Sequence, residues 1–132
     1  MGYVFYILVK LLSYMAWCWL GLMLLRPGPV LWSKALGFGM LRLAIGIVFG
    51  VLIFFLVPVQ STNVLRNYIV IYTPVRLLEW LILAALIAQT ELPRKFSSLI
   101  PWCLGGIVVS YAADFASPEG VAGHFCVGRC LC

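Results

Sequence analysis

The chain has 132 residues, of which 64% are hydrophobic and 10% are charged, and its formal net charge is +5. A soluble domain of this length leaves much of its surface facing water, so this composition excludes an ordinary soluble protein. The apolar residues also form long blocks instead of the alternating or one-sided patterns of soluble strands and helices. The sequence therefore predicts an all-α, polytopic integral membrane protein with the lipid bilayer as its main partner.

Four apolar blocks follow one another along the chain. The first three are long enough for a membrane-crossing helix, which needs about 20 residues, and they are Tyr3–Leu25, Ala35–Val59 and Tyr68–Ala88. The fourth block, Ser98–Ala113, is shorter and stops before Asp114. We predict a short span there, with a re-entrant segment as the alternative. The chain is thus divided into a transmembrane domain, residues 1–116, and a cysteine-rich tail, residues 117–132.

The linkers between the blocks differ in positive charge. The first and third linkers carry two basic residues each, whereas the second linker and the tail carry one each. Arg26 and Lys34 lie in the first linker and Arg94 and Lys95 in the third. Arg66 lies in the second linker and Arg129 in the tail. The positive-inside rule places the first and third linkers in the cytoplasm, so both termini are predicted on the non-cytoplasmic side. No basic patch with interleaved aromatic residues is present, and no nucleic-acid partner is predicted.

Four charged residues interrupt the apolar blocks, namely Lys10, Arg42, Arg76 and Glu79. Each costs roughly 2.5–3.5 kcal/mol at the centre of a membrane helix, so each requires a partner or a water-filled pocket. Measured from the predicted helix ends, Lys10, Arg76 and Glu79 fall in one layer about 10–17 Å below the outer surface. Arg42 enters from the opposite side, and we expect its side chain to reach the cytoplasmic headgroups outside this layer.

The charged layer is expected to form ion pairs. Arg76 and Glu79 are three residues apart and can pair on one helix face, with Lys10 as a second partner of Glu79. Two cations then face one carboxylate, and the excess charge requires another anion. The candidates are Asp114, a lipid phosphate, a bound substrate or a carboxylate of another subunit. The layer is interpreted as an internal salt-bridge triad, as a contact with a partner subunit or a lipid headgroup, or as a transport or proton-relay site. Arg42 and Asp114 are separate candidates for an anion or lipid contact.

Small residues at four-residue spacing predict helix-packing faces, and they are Gly46 and Gly50, Ala84 and Ala88, and Gly106 and Ser110. The sequence from Gly46 to Gly50 is a GxxxG motif, which permits close approach of two helix backbones. Such motifs are common by chance in apolar helices, so we interpret them as packing faces first and as oligomerisation motifs second. Four tyrosines near the predicted outer boundary are typical of an aromatic belt, and they are Tyr3, Tyr6, Tyr68 and Tyr111.

The tail ends in the sequence GHFCVGRCLC, which contains a histidine and three cysteines. In an oxidising compartment Cys126, Cys130 and Cys132 are disulfide candidates, with one thiol left over. Together with His124 they could instead hold zinc tetrahedrally, or Cu(I) through the thiolates. A lipid modification and an unmodified tail are the remaining alternatives. No other cofactor is predicted, because the membrane spans contain no histidine to bind a haem.

The sequence leaves three functional hypotheses. The first is a small non-catalytic accessory or assembly subunit of a larger membrane complex, because the loops are minimal and the charged layer is not balanced within the chain. The second is a homo-oligomeric carrier or channel that uses the layer of Lys10, Arg76 and Glu79. The third is a thiol-redox or metal-handling protein that acts through the tail. Nothing argues for an enzyme, since no Ser/His/Asp set, paired acidic site or phosphate-binding loop is present.

Overall fold

Four long helices make up the structure, a computed structural model that describes residues 2–25, 28–56, 64–88 and 96–117. They are α1 (Gly2–Leu25), α2 (Trp32–Leu56), α3 (Val64–Ala88) and α4 (Phe96–Phe115), and these described residues contain no strand. All four helices are long and apolar enough to cross a membrane. The prediction of an all-α fold with four transmembrane helices is therefore confirmed, and the four spans indicate an integral membrane protein.

Two helix boundaries differ from the predicted ones in ways that affect the site. Helix α2 begins at Trp32, three residues before the predicted start at Ala35. Helix α4 continues past Ala113 to Phe115 and contains 20 residues without a break. Because about 20 helical residues are enough to cross the hydrocarbon core, α4 has the length of a full span rather than that of a re-entrant segment.

The helices do not contact one another equally. Helix α1 packs extensively against α2 on one side and α4 on the other, and α3 packs against α4. The contacts of α3 with α1 and α2 are sparser. Going round the bundle, the order is therefore α2, α1, α4, α3, and the loosest junction lies where α3 meets the hairpin of α1 and α2.

The junction of α1 and α4 is held by a reciprocal pair of tryptophans. The indole Nε1 of Trp17 donates to the carbonyl oxygen of Trp102 at 3.0 Å, and Nε1 of Trp102 donates to the carbonyl oxygen of Trp17 at 3.1 Å. Each ring lies over a glycine of the opposite helix, Trp102 over Gly21 and Trp17 over Gly105. Glycine lets both rings approach the facing backbone, so the two helices interlock at this depth.

The larger hydrophobic core surrounds the Trp80 side chain, which is fully buried. Its ring packs edge-on against Trp102, with ring centroids 5.2 Å apart, and against Tyr14 at 5.8 Å. A smaller core cluster contains Ile53, Tyr68 and Tyr72, between α2 and α3. Many large apolar side chains on the outer faces of the helices are exposed, as lipid-facing residues are in a membrane protein.

The predicted small-residue positions take several roles in this packing. Ala84 and Ala88 are buried in the larger core, and Gly106 lies under the Trp80 ring. Gly50 is buried, whereas Gly46 lies beside the Arg42 guanidinium. Ser110 is fully buried and accepts a hydrogen bond from Trp80 Nε1 at 3.0 Å. The close α1–α2 approach lies at another glycine, Gly39, which faces the backbone of Met15.

Candidate functional site

Five charged side chains meet inside the helix bundle. We call them the charge cluster, and its members are Lys10 from α1, Arg42 from α2, Arg76 and Glu79 from α3, and Asp114 from α4. All five residues are buried, none of them more than 8% exposed. The cluster includes every Lys, Arg, Asp or Glu side chain that the sequence places inside an apolar block, together with the aspartate at the end of the fourth block.

Asp114 is the centre of the first half of the cluster. Its Oδ1 accepts hydrogen bonds from Lys10 Nζ and from the Tyr6 hydroxyl, both at 2.8 Å. Its Oδ2 accepts from the Tyr68 hydroxyl and from Arg76 Nη2, with which it forms an ion pair. Asp114 lies in the last turn of α4, where the partial negative charge of the helix end disfavours a carboxylate, so the two cations offset this repulsion.

The second half of the cluster is the ion pair between Arg42 and Glu79. Arg42 Nη2 lies 2.6 Å from Glu79 Oε2, and the same nitrogen is 3.4 Å from the hydroxyl of Ser110. The guanidinium carbon lies 4.8 Å from the Tyr14 ring centroid and 5.0 Å from that of Trp80. Both rings therefore add cation–π attraction in a desolvated setting.

The pairing differs from the sequence expectation in two ways. Arg42 was expected to reach the cytoplasmic headgroups, but it is 2% exposed and lies inside the cluster. The reason is the earlier start of α2, because Arg42 lies ten residues, or about 15 Å, beyond Trp32. Arg76 was expected to pair with Glu79, three residues along its own helix, with Lys10 as a second partner of Glu79. Instead, Arg76 and Lys10 both pair with Asp114, and Glu79 pairs with Arg42.

Tyrosines complete the cluster, although their position in the sequence predicts another role for them. Tyr6 and Tyr68 were expected in an aromatic belt at the membrane boundary, yet both are buried and donate to Asp114. The Tyr6 hydroxyl also accepts from Lys10 Nζ at 2.7 Å, and the Tyr68 hydroxyl accepts from Arg76 Nη2 at 2.8 Å. Helical spacing is the sequence feature that could have predicted these contacts, since Tyr6 precedes Lys10 by one turn and Tyr68 precedes Arg76 by two.

A cavity of about 30 Å³ lies beside these ion pairs, between α1, α2 and α3. The polar part of its lining comes from four members of the charge cluster and from three tyrosines, namely Lys10, Arg42, Arg76, Glu79, Tyr6, Tyr14 and Tyr72. The apolar part comes from Ile7, Leu43, Gly46 and Ile47. Two buried guanidinium nitrogens at this site, Arg42 Nε and Arg76 Nη1, have no hydrogen-bond partner within the described part of the chain.

The tail lies outside the described residues, and with it the disulfide candidates Cys126, Cys130 and Cys132 and the metal candidate His124. Within residues 2–25, 28–56, 64–88 and 96–117, no group of three His, Cys, Asp or Glu side chains is arranged to hold a metal ion. The two cysteines of the spans, Cys18 and Cys103, are buried free thiols. Both belong to the larger core, where they pack as small apolar side chains.

Comparison of the chain with protein-family models, with curated proteins and with solved structures finds no match.

Proposed function

We propose that this protein is a small membrane carrier or channel in which the charge cluster forms the solute-binding site. The observation that carries this proposal is the cavity lined by three buried cations, Lys10, Arg42 and Arg76. Two of them also carry a buried guanidinium nitrogen, Arg42 Nε and Arg76 Nη1, that has no hydrogen-bond partner among the described residues. Ionisable residues at membrane depth are expensive, and they commonly mark ion or substrate pathways. A polar solute in this cavity would meet the cationic side chains of Lys10, Arg42 and Arg76.

A purely structural role explains the cluster less well. Buried ion pairs seldom stabilise a fold more than well-packed apolar side chains of the same volume, because desolvation offsets the Coulombic attraction. A network made for register alone also gains nothing from unpaired buried donors, each of which costs about 1–3 kcal/mol. The unpaired nitrogens therefore favour a binding role over a structural one.

One ground for the accessory-subunit function was a charged layer of two cations and one carboxylate that needed another anion, with Asp114 among the candidates. With Arg42 and Asp114 included, the cluster has three cations and two carboxylates, so each carboxylate pairs within the chain and one positive charge remains in excess among the described residues. The accessory-subunit function stays a prediction, and no contact among the described residues favours it. The thiol-redox or metal-handling function also stays a prediction, because it depends on the tail.

Reconstitution into liposomes tests the carrier proposal. Purified protein is incorporated into vesicles, a gradient of one salt at a time is applied, and the membrane potential and the solute flux are recorded. We expect protein-dependent flux of at least one solute and a changed flux in Glu79→Gln, which removes the partner of Arg42. The matched control is Lys34→Gln, because Lys34 is exposed at the start of α2, away from the cluster.

Two results would contradict the proposal. One is the absence of flux for every salt in the panel by a protein that native mass spectrometry shows to be folded and intact. The other is a flux that Glu79→Gln leaves unchanged. The same mass measurement reports whether copies of this chain or foreign subunits accompany it, and foreign subunits at a fixed ratio would favour the accessory-subunit function.

A further inference from the structure

We infer that the cavity of the charge cluster binds one small monovalent anion of the halide class. The inference deepens the carrier proposal and rests on it for the role of the bound ion in transport. Three independent properties of the site lead to it, namely its net charge, its unpaired donors and its size.

The net charge of the site is the first argument. Lys10, Arg42 and Arg76 are cations, and Glu79 and Asp114 are the two carboxylates that they meet. Among the described residues, three cations against two carboxylates leave one positive charge in a low-dielectric interior, where an uncompensated charge is strongly destabilising. One monovalent anion brings the cluster to neutrality, whereas a divalent anion would leave a net negative charge and a cation would add to the excess.

The unpaired donors are the second argument. Arg42 Nε and Arg76 Nη1 are buried and have no acceptor within the described residues. The side chains that carry them are 2% and 3% exposed, so bulk water does not solvate them. A halide accepts hydrogen bonds from several directions and donates none, which suits a site where the two polar atoms without a partner among the described residues are both donors. A water molecule in the cavity would leave the positive charge in place.

The size of the cavity is the third argument. Its volume of about 30 Å³ provides room for about two water-sized particles. A halide alone or with one water fits this volume. Part of this space exists because residue 46 is glycine, since an added Cβ there would lie 3.1 Å from Arg42 Nη1. The walls of Ile7, Leu43 and Ile47 cannot replace a tight hydration shell, which favours chloride and bromide over more strongly hydrated anions.

Thermal unfolding of the detergent-purified protein tests this inference. The protein is exchanged into sodium gluconate, whose anion is much larger than a halide, and is titrated with sodium chloride or sodium bromide at constant ionic strength. A ligand that binds the folded state alone raises the melting temperature in a concentration-dependent way. We expect a saturable rise with both halides and no such rise with sodium sulfate.

The decisive variant is Lys10→Gln. It removes the excess charge but leaves the pairs Arg42–Glu79 and Arg76–Asp114 and both unpaired nitrogens intact. We expect its apparent halide affinity to fall at least tenfold, whereas Lys34→Gln, the same change at an exposed position, should retain the wild-type response. If Lys10→Gln does not fold, Arg42→Lys serves instead, because it keeps the charge and removes the Nε–H donor, and it should weaken halide binding.

The outcomes separate this inference from the carrier proposal. A halide response in the folded wild type that is absent in Lys10→Gln or Arg42→Lys supports the anion site, even if vesicles show no flux and the carrier proposal fails. If the melting temperature of the wild type does not rise with halide concentration, the anion site is overturned, even if another solute is transported. An equal response of wild type and Lys10→Gln also overturns it, because a general salt effect acts on both proteins.

Discussion

At the scale of single residues, Asp114 has more hydrogen-bond and ion-pair partners in the site than Glu79 does. Its two oxygens accept from Lys10 and Arg76 and from two tyrosine hydroxyls, whereas the ion pair of Glu79 is with Arg42. Removing one partner of a buried ion pair typically costs about 3–5 kcal/mol, because the remaining charge is left uncompensated. The two carboxylates should therefore differ in their importance for stability.

We predict that Asp114→Asn destabilises the protein more than Glu79→Gln. The Asp114 variant leaves two buried cations without a counter-charge, and a loss of about 3–5 kcal/mol is expected. The Glu79 variant leaves Arg42 alone, and the Tyr14 and Trp80 rings still face its guanidinium. Denaturant unfolding in detergent, followed by tryptophan fluorescence, measures both losses. An equal or larger loss in Glu79→Gln would contradict the central role of Asp114.

The depth and the partner of Arg42 could not be predicted from the sequence. A lone arginine near the predicted start of an apolar helix reads as a side chain that reaches the headgroups, since its depth is counted from the helix end. Moving that end by three residues, from Ala35 to Trp32, puts Arg42 about 4.5 Å deeper, where it pairs with Glu79 of a neighbouring helix. Helix ends are uncertain by a few residues, and at 1.5 Å per residue that error decides which charges can meet.

At the scale of helices, three tryptophan rings fit against glycines of facing helices. Trp102 lies over Gly21, Trp80 over Gly106 and Trp17 over Gly105. A Cβ added at Gly21 or Gly106 would lie 2.5 Å from the facing ring, closer than real side chains approach. Close approach through small residues drives helix association in membranes, where burial of apolar surface contributes little.

We predict that Gly21→Ala and Gly106→Ala each destabilise the bundle by about 1–3 kcal/mol, the usual cost of overpacking. The matched control is Gly37→Ala, because a Cβ at Gly37 meets nothing within 4 Å. Alanine also favours helix over glycine by roughly 0.5–1 kcal/mol, so the control should be neutral or slightly stabilised. The same unfolding measurement compares the three variants, and an equal effect at Gly37 would refute the packing explanation.

The reciprocal hydrogen bonds of Trp17 and Trp102 support a second helix-scale prediction. Trp17→Phe and Trp102→Phe each remove one indole donor to a backbone carbonyl, and each should cost about 1 kcal/mol of unfolding free energy. Trp32→Phe is the control, because Trp32 is 62% exposed and lies at the start of α2. Its effect should stay within about 0.5 kcal/mol. If all three variants have the same unfolding free energy, the reciprocal hydrogen bonds of Trp17 and Trp102 do not hold α1 to α4.

The sequence predicts where the four helices lie in the chain better than it predicts which of them are in contact. Apolar length alone identifies four spans, because lipid requires every backbone group to be paired within a helix. Which helices touch is harder to infer, since nearly all faces are apolar and no polar face marks the outside. The buried charges were the best guide, yet Arg76 could pair along its own helix or across the bundle. Sequence spacing favoured Glu79, whereas the fold places Asp114 against Arg76.

At the scale of the whole molecule, the ion pair of Lys10 and Asp114 constrains the topology. Lys10 lies eight residues, or about 12 Å, from the start of α1, and Asp114 lies in the last turn of α4. Their contact at 2.8 Å requires the end of α4 to approach the same side of the membrane as the start of α1. An even number of crossings satisfies this condition, whereas a re-entrant α4 that returns to its side of origin does not.

We predict that reporters fused after Leu56 and Phe115 lie on one side of the membrane and those fused after Leu25 and Ala88 on the other. The paired reporters are an enzyme active only outside the cytoplasm and a fluorescent protein that fluoresces only inside it. The positive-inside rule further predicts the Leu56 and Phe115 fusions outside, because the first and third linkers carry two basic residues each. Reporters after Ala88 and Phe115 on the same side would mean that α4 does not cross, and the pairing of Asp114 with Lys10 would then be lost. If the reporters alternate between the two sides but the Leu56 and Phe115 fusions lie in the cytoplasm, the bundle and its charge cluster are unaffected. Only the orientation predicted from the positive-inside rule is then refuted.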